Sequence, residues 1–233
     1  MSSFCTMPKS FFAARCWHWT ERWGYAAKRR SHSQFGYLVK MDQLLSIDFD
    51  NMRAVVQPGH VNLMLTKKIA KNGWYYAPDP SSQSSCTIGG NLAENAGGSH
   101  CRKYGVTTNH IVAAEVVLPT GEIVQIGSEF GDAVGYDLIG LLFGSEGTLG
   151  IATAITVKIL INPETVKTIM ATYDRVEDAS DTVSSVIGKG IIPAAMEMMD
   201  QLAMQSGHSG GVAGRWLLVR WAAFLLTISF RTA

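Results

Sequence analysis

Thirteen residues, Cys86 to Gly98, read CTIGGNLAENAGG. They hold Gly89, Gly90, Gly97 and Gly98, and only Ile88 and Leu92 are large and apolar. Such a run fills little core. Its chemistry is that of exposed backbone, since glycine takes positive φ and lets a ligand come within hydrogen-bond distance of bare N–H groups. Successive N–H groups, above all at a helix start, cradle a pyrophosphate. Pro78-Asp79-Pro80-Ser81-Ser82 stands upstream and Ser99-His100-Cys101-Arg102-Lys103-Tyr104-Gly105 downstream. Ser82, Ser85 and Thr87 add hydroxyl donors. A tight structural turn is the alternative. The length of the run and its second pair, Gly97-Gly98, favour a cradle.

Single residues around it have plainer readings. Cys86 has no adjacent histidine, so it reads as a small packed side chain rather than a nucleophile. His100 and His110 stand alone, which suits surface or capping roles rather than metal ligation. Glu146, just before Gly147, either supports a turn or contacts a nucleotide.

These residues need elements to position them. Leu44 to Ile47 and Arg53 to Gln57 flank the turn-like Phe49-Asp50-Asn51 and predict a hairpin. Val61, Met64, Leu65, Lys68 and Ile69 form a helical stripe, stopped by Asn72-Gly73. Ile111 to Leu118 and Glu122 to Ile126 flank Pro119-Thr120-Gly121, a second strand–turn–strand signal. Alternation from Ile151 to Ile161 predicts one long strand. Val176, Ala179, Val183, Val186 and Ile187 fit a helix. Strands and helices mixed without a strict βαβ rhythm make the fold class α+β.

Composition narrows the partners. The 233 residues carry 20 basic and 19 acidic side chains, for a net charge of +1 and a pI near 7.7. That balance offers no electrostatic case for nucleic acid. Cys5, Cys16, Cys86 and Cys101 form no CxxC pair and no zinc spacing, which reads as a reducing, cytoplasmic setting. Residues 1–34 crowd Trp17, Trp19 and Trp23 among basic residues without a period, and are expected to lack fixed structure. They contain no apolar core of a secretory signal, and their basic composition leaves a transit peptide as the other reading. Arg220 splits the apolar end, so Trp221 to Phe230 is too short to span a bilayer and reads as a buried or membrane-surface segment.

Taken together, PDPSSQSSCTIGGNLAENAGG, then KYG, then YDLIGLLFGSEGTLGIAT resemble the FAD-binding domain of the FAD-linked oxidases related to vanillyl-alcohol oxidase. Within them the likeness is greatest to the catalytic flavin subunits of bacterial glycolate oxidase, and it covers residues 35 to about 205. The resemblance implies two α+β subdomains that hold an extended FAD non-covalently, followed by the start of a substrate domain. The implied division is 1–34 outside the family, 35–161 FAD-binding, 162–205 substrate domain and 206–233 outside the family. By motif position, Pro78, Asp79, Ser82, Cys86, Thr87, Gly89, Gly90, Asn91, Asn95, Gly97, Gly98 and Gly105 are implied to line the cofactor. Glu146, Gly147, Gly150 and Ile151 are implied near its nucleotide end. The implied reaction is oxidation of a small 2-hydroxy acid, glycolate or D-lactate in type, by hydride transfer to the flavin. Implied partners are an iron–sulfur subunit and a second flavin-domain subunit, through which a cytoplasmic protein would associate with a membrane.

The departures set a further expectation. Where the family has an earlier glycine-rich loop, this chain has Trp17 to Ser33 with the single glycine Gly24. The family's C-terminal histidine motifs have no counterpart after Ser206. The isolated chain is therefore expected to bind FAD weakly and to be impaired in this oxidation; the alternative is a non-catalytic remnant or scaffold subunit with weak or no FAD binding. The chain is expected to show no glycolate- or lactate-dependent dye reduction above free flavin.

Overall fold

A computed structural model describes residues 40–128, 135–200 and 222–230. The expectation for residues 1–34 lies outside them. The described residues form two compact units. One comprises those up to Gly98 together with Gly105–Asn162; the other comprises Ser99–Tyr104 and those from Pro163 onward.

The first unit is built on a five-stranded antiparallel sheet. Its strands are β1 (Leu44–Asp48), β2 (Arg53–Val56), β4 (Ile111–Val117), β5 (Ile123–Gly127) and β6 (Ile151–Lys158), in the spatial order β1-β2-β6-β4-β5. The β1–β2 hairpin forms as its turn residues predict, with the Asp48 carboxylate accepting from the Asn51 N–H at 2.9 Å. The β4–β5 hairpin turns through Gly121, whose φ of 86° suits a residue without a Cβ. β3 (Trp74–Tyr75) pairs instead with β7 (Leu160–Ile161).

The single long strand read from Ile151 to Ile161 is thus two. The register with β2 and β4 ends at Lys158, and the chain then pairs with β3 in a different sheet. Alternation could not reveal this, because Ile155, Val157 and Ile159 face the same core across the break and all are fully buried. Side-chain period reports the face, not the partner.

Helix α1 (Asn62–Ile69) runs on as a 3-10 turn to Asn72, and Gly73 at φ 81° stops it where the Asn-Gly pair predicted. Its buried face is Asn62, Leu65 and Ile69, whereas Met64 and Lys68 of the expected stripe face solvent. Helix α2 (Ile88–Glu94) packs on β6 and is buried from Ile88 through Ala93. The core joins Val56, Leu65, Ile69, Ile88, Leu92, Val116 and Ile155.

The second unit has a three-stranded antiparallel sheet, ordered β8 (Thr165–Tyr173), β10 (Ala222–Phe230), β9 (Ala195–Asp200). Helix α4 (Val176–Gly188) packs on β8 and β10, and the short helix α3 (Cys101–Tyr104) on β9. Ala222–Phe230, read from sequence as a buried or membrane-surface segment, is the central strand of this sheet. Among the described residues no helix is long and apolar enough to cross a membrane.

Candidate cofactor site

The glycine-rich stretch becomes helix α2 with its two flanking loops. Thr87 caps the helix start, its Oγ1 accepting from the Gly90 N–H at 3.1 Å. The preceding N–H groups are also committed. Ile88 donates to the His60 carbonyl at 2.9 Å and Gly89 to the Pro58 carbonyl at 2.8 Å. The expected cradle of free N–H groups at this helix start is therefore absent, because the loop Pro58–His60 already supplies their acceptors.

This exchange explains Gly89 without a ligand. A Cβ there would lie 2.6 Å from the Pro58 Cβ and 2.9 Å from its carbonyl oxygen. The loop 78–87 is strapped to the start of α1 in the same way. Asn62 donates its backbone N–H to the Cys86 carbonyl at 3.0 Å and its Nδ2 to the Pro78 carbonyl at 3.0 Å. Leu63 donates to the Gln83 carbonyl at 2.9 Å.

Gly98 closes the stretch upon itself. A Cβ at Gly98 would stand 2.2 Å from the Asp79 carbonyl oxygen, so the two ends of residues 79–98 meet and close a ring of which α2 is one part. None of Gly89, Gly90, Gly97 and Gly98 takes a positive φ. The left-handed positions in the rim segments are instead Asn95 at 52°, Gly105 at 82°, Gly144 at 71°, Glu146 at 51° and Gly147 at 69°.

Two further loops are fastened to the end of α2. Asn95, its left-handed C-cap, accepts from the Thr108 N–H at 3.0 Å and from the Thr108 hydroxyl at 2.7 Å. The Ala96 carbonyl accepts from the Thr107 N–H at 3.0 Å and its hydroxyl at 2.6 Å. The Ala93 carbonyl, left over at the helix end, accepts from Glu146 at 2.9 Å, and the Leu92 carbonyl accepts from both Asn95 and Gly144 at 3.3 Å. Segments 105–109 and 144–147 are thus both fastened to the end of the short helix that lies within 79–98.

The predicted site residues divide accordingly. Asp79, Ser82, Thr87, Asn95, Gly97, Gly98, Gly105, Glu146 and Gly147 are partly exposed on this rim. Ile151, also partly exposed, opens β6 opposite Val117. Pro78, Cys86, Gly89, Gly90, Asn91 and Gly150 are buried. Gly150 is small because a Cβ would strike Val116 Cγ1 at 2.6 Å. Cys86 is a packed free thiol, and burial pushes its pKa up, against hydrogen bonds from Ser82 and Asn91. It is no thiolate nucleophile. His110 is buried at the end of a 3-10 turn, its ring edge-on to Tyr76.

Sequence reasoning missed Pro58, His60, Asn62, Thr107 and Thr108, which fasten the ring. Only the Pro58-Gly59 turn pair could have marked the first of them.

The partly exposed residues on the rim are glycine, serine, threonine and asparagine with the acids Asp79 and Glu146, and Glu94 is exposed on the same segment. Such neutral groups and backbone would suit the flat, uncharged ring system of FAD, whereas these acids would not serve its pyrophosphate. Left-handed residues, Gly105, Glu146 and Gly147 among them, turn the backbone along the rim. Replacing Thr87 with alanine is expected to cost about 1 kcal/mol by uncapping α2, read as a drop in the urea midpoint at unchanged slope.

Residues 33–127 match the FAD binding domain family, and residues 162–232 match the C-terminal domain of FAD linked oxidases. The chain carries domains of both these kinds, and its cofactor is FAD. The second match runs through segment 206–232, beyond the residue at which the sequence likeness was read to fade.

Over 171 residues the chain is 45% identical to the glycolate oxidase subunit GlcD of Escherichia coli K12, covering 73% of this chain and 34% of that protein. It is 47% identical to the Bacillus subtilis GlcD over 162 residues, 69% of this chain and 34% of the relative. A D-lactate dehydrogenase of Anaerostipes hadrus is 39% identical over 165 residues, 70% of this chain and 34% of that protein. The chain spans about a third of the length of these relatives. A solved alkyldihydroxyacetonephosphate synthase superposes with a TM-score of 0.70 over 82% of this chain and 38% of its own, at 24% identity, and so shares the fold.

Proposed function

We propose that this chain binds FAD non-covalently as the flavin-holding part of a hydroxy-acid oxidoreductase, with glycolate or D-lactate as the type of substrate. The observation that carries the reading is the fastening of 105–109 and 144–147 to the end of α2, within 79–98. The motifs that resemble the family become one rim by hydrogen bonds within this chain. Bound FAD would supply the acceptor for the hydride from the hydroxy acid. The chain's residues would do the holding. Gly97, Gly98 and Gly105 keep side chains out of the way, and Asn95 with Thr108 keeps the rim loops in register.

Substrate oxidation also needs a base for the hydroxyl proton and a cation for the carboxylate, held within reach of the flavin. The charged side chains of the rim segments, Asp79, Glu94 and Glu146, are all acids. FAD binding without turnover is accordingly the behaviour we assign to the isolated chain, and turnover to an assembly with an iron–sulfur subunit and a second flavin-domain subunit. Such an assembly would be cytoplasmic, with membrane association through its partners.

Titrating the purified chain with FAD tests the reading. Flavin fluorescence should change to saturation, and the loaded chain should keep its flavin absorbance when glycolate or D-lactate is added without air. A folded chain that retains no FAD would sink the cofactor role. Bleaching by either acid would overturn the assignment of turnover to an assembly.

A further inference from the structure

His60 is 3% exposed and lies in the loop whose carbonyls hold the start of α2. Its Nδ1 faces the Asp42 carbonyl oxygen, which can only accept. Nδ1 therefore carries the proton, and the neutral ring leaves Nε2 as a bare lone pair. That Nε2 is buried and has no hydrogen-bond partner among the described residues. Adding a proton there would place a charge and an unmet donor inside the fold, where each is costly.

What His60 holds gives this a consequence. Its own carbonyl accepts from Ile88, and Pro58, two residues before it, accepts from Gly89. Gly59 donates to the Met41 carbonyl at 2.8 Å, and Gln57 to the Gln43 carbonyl at 2.9 Å. Residues 41–43, loop 57–60 and the start of α2 are thus stacked by hydrogen bonds with the imidazole among them.

We propose that neutral His60 is an acid-sensitive latch on the glycine helix: protonated at Nε2, loop 58–60 leaves its seat and releases the Ile88 and Gly89 amides. The consequence for the cofactor, that the rim opens and FAD leaves, rests on the FAD reading above; the latch itself does not.

The surrounding charges agree. Burial is the main cause holding the imidazole below its ordinary pKa; the hydrogen bond to the Asp42 carbonyl raises it, Lys68 on α1 lowers it, and the Asp42 charge raises it. The first four residues of α2, Ile88 to Asn91, contribute no ionisable side chain. The sign follows from linkage. Above about pH 6.5, the ordinary imidazole value, latched and released states are both neutral and the latch is at full strength. As pH falls below that value the released state gains a proton that the latched state refuses, and the latch weakens.

Amide hydrogen exchange on the full chain reads this directly. After correction for intrinsic rates, the opening constants of the Ile88 and Gly89 amides should rise up to about tenfold for each pH unit below about 6.5. His60→Asn keeps a donor at the Nδ1 position and cannot titrate, so its opening constants should stay near the neutral wild-type value with no acid rise. His60→Leu loses the donor and should open more at every pH, again without a slope. An acid rise in His60→Asn equal to that of the wild type would overturn the latch.

Should the variants not fold, proton NMR of the wild-type ring decides. A folded pKa at or above the ordinary value overturns the proposal, and one below it agrees. FAD fluorescence over the same range tests the consequence. Acid-dependent amides in a chain that never binds FAD would sink the cofactor reading and leave the latch standing.

Discussion

Gly98→Ala should weaken FAD binding by at least about tenfold, the equivalent of about 1.4 kcal/mol, and should lower stability as well. The added Cβ would stand 2.2 Å from the Asp79 carbonyl oxygen and 2.5 Å from its carbonyl carbon. Real Cβ atoms do not approach that closely, and neither obstacle is the end of a flexible side chain. The backbone of one segment must move, at the upper end of the roughly 1–3 kcal/mol that overpacking costs. The movement separates Asp79 from Gly98, the closure of the ring that makes the rim.

Gly73→Ala is the matched control. It too is costly, by about 1 kcal/mol, because its φ is 81° and alanine resists that region. Nothing lies within 4 Å of its Cβ, however, so the cost is torsional and local. Its FAD affinity should equal that of the wild type. Equal losses of affinity in the two variants, measured by fluorescence titration, would show that the ring closure is irrelevant to the cofactor.

Ile155→Ala should be the most damaging core truncation, costing about 2–5 kcal/mol. Ile155 is fully buried on β6, the central strand, where it is paired to Val56 on one side and Ala114 on the other. A cavity there is flanked by backbone ladders that resist collapse. Domains of this size hold only about 5–15 kcal/mol in total, so the loss would remove a large share of the stability. Chemical denaturation checks it: a midpoint shift at unchanged slope is expected, and a loss under about 1 kcal/mol would mean the site relaxes. Helix α2 packs on this strand, so FAD should stabilise the variant less than the wild type.

Much of the fold was legible before any coordinates. The β1–β2 and β4–β5 hairpins follow from short apolar runs around turn residues, and α1 ends at Gly73 because its Asn-Gly stop is local. Local conformational preference writes itself into adjacent residues, so such features can be read from them. The family and its cofactor were legible for a different reason. The motifs of the rim, PDPSSQSSCTIGGNLAENAGG and GSEGTLG, are contiguous runs that constrain backbone chemistry as they stand.

What each glycine is for could not be read that way. Gly89 is small for Pro58, Gly98 for Asp79 and Gly150 for Val116, each a neighbour distant along the chain. The split of Ile151–Ile161 between two sheets, the commitment of the Ile88 and Gly89 amides to loop 58–60, and the burial of His60 are of the same kind. The sequence by itself determined where the backbone would be bare and which ligand class that suits. Tertiary structure alone decided which of those bare groups are committed to the protein, because an N–H takes the nearest acceptor in space, and nearness across tens of residues is a property of packing.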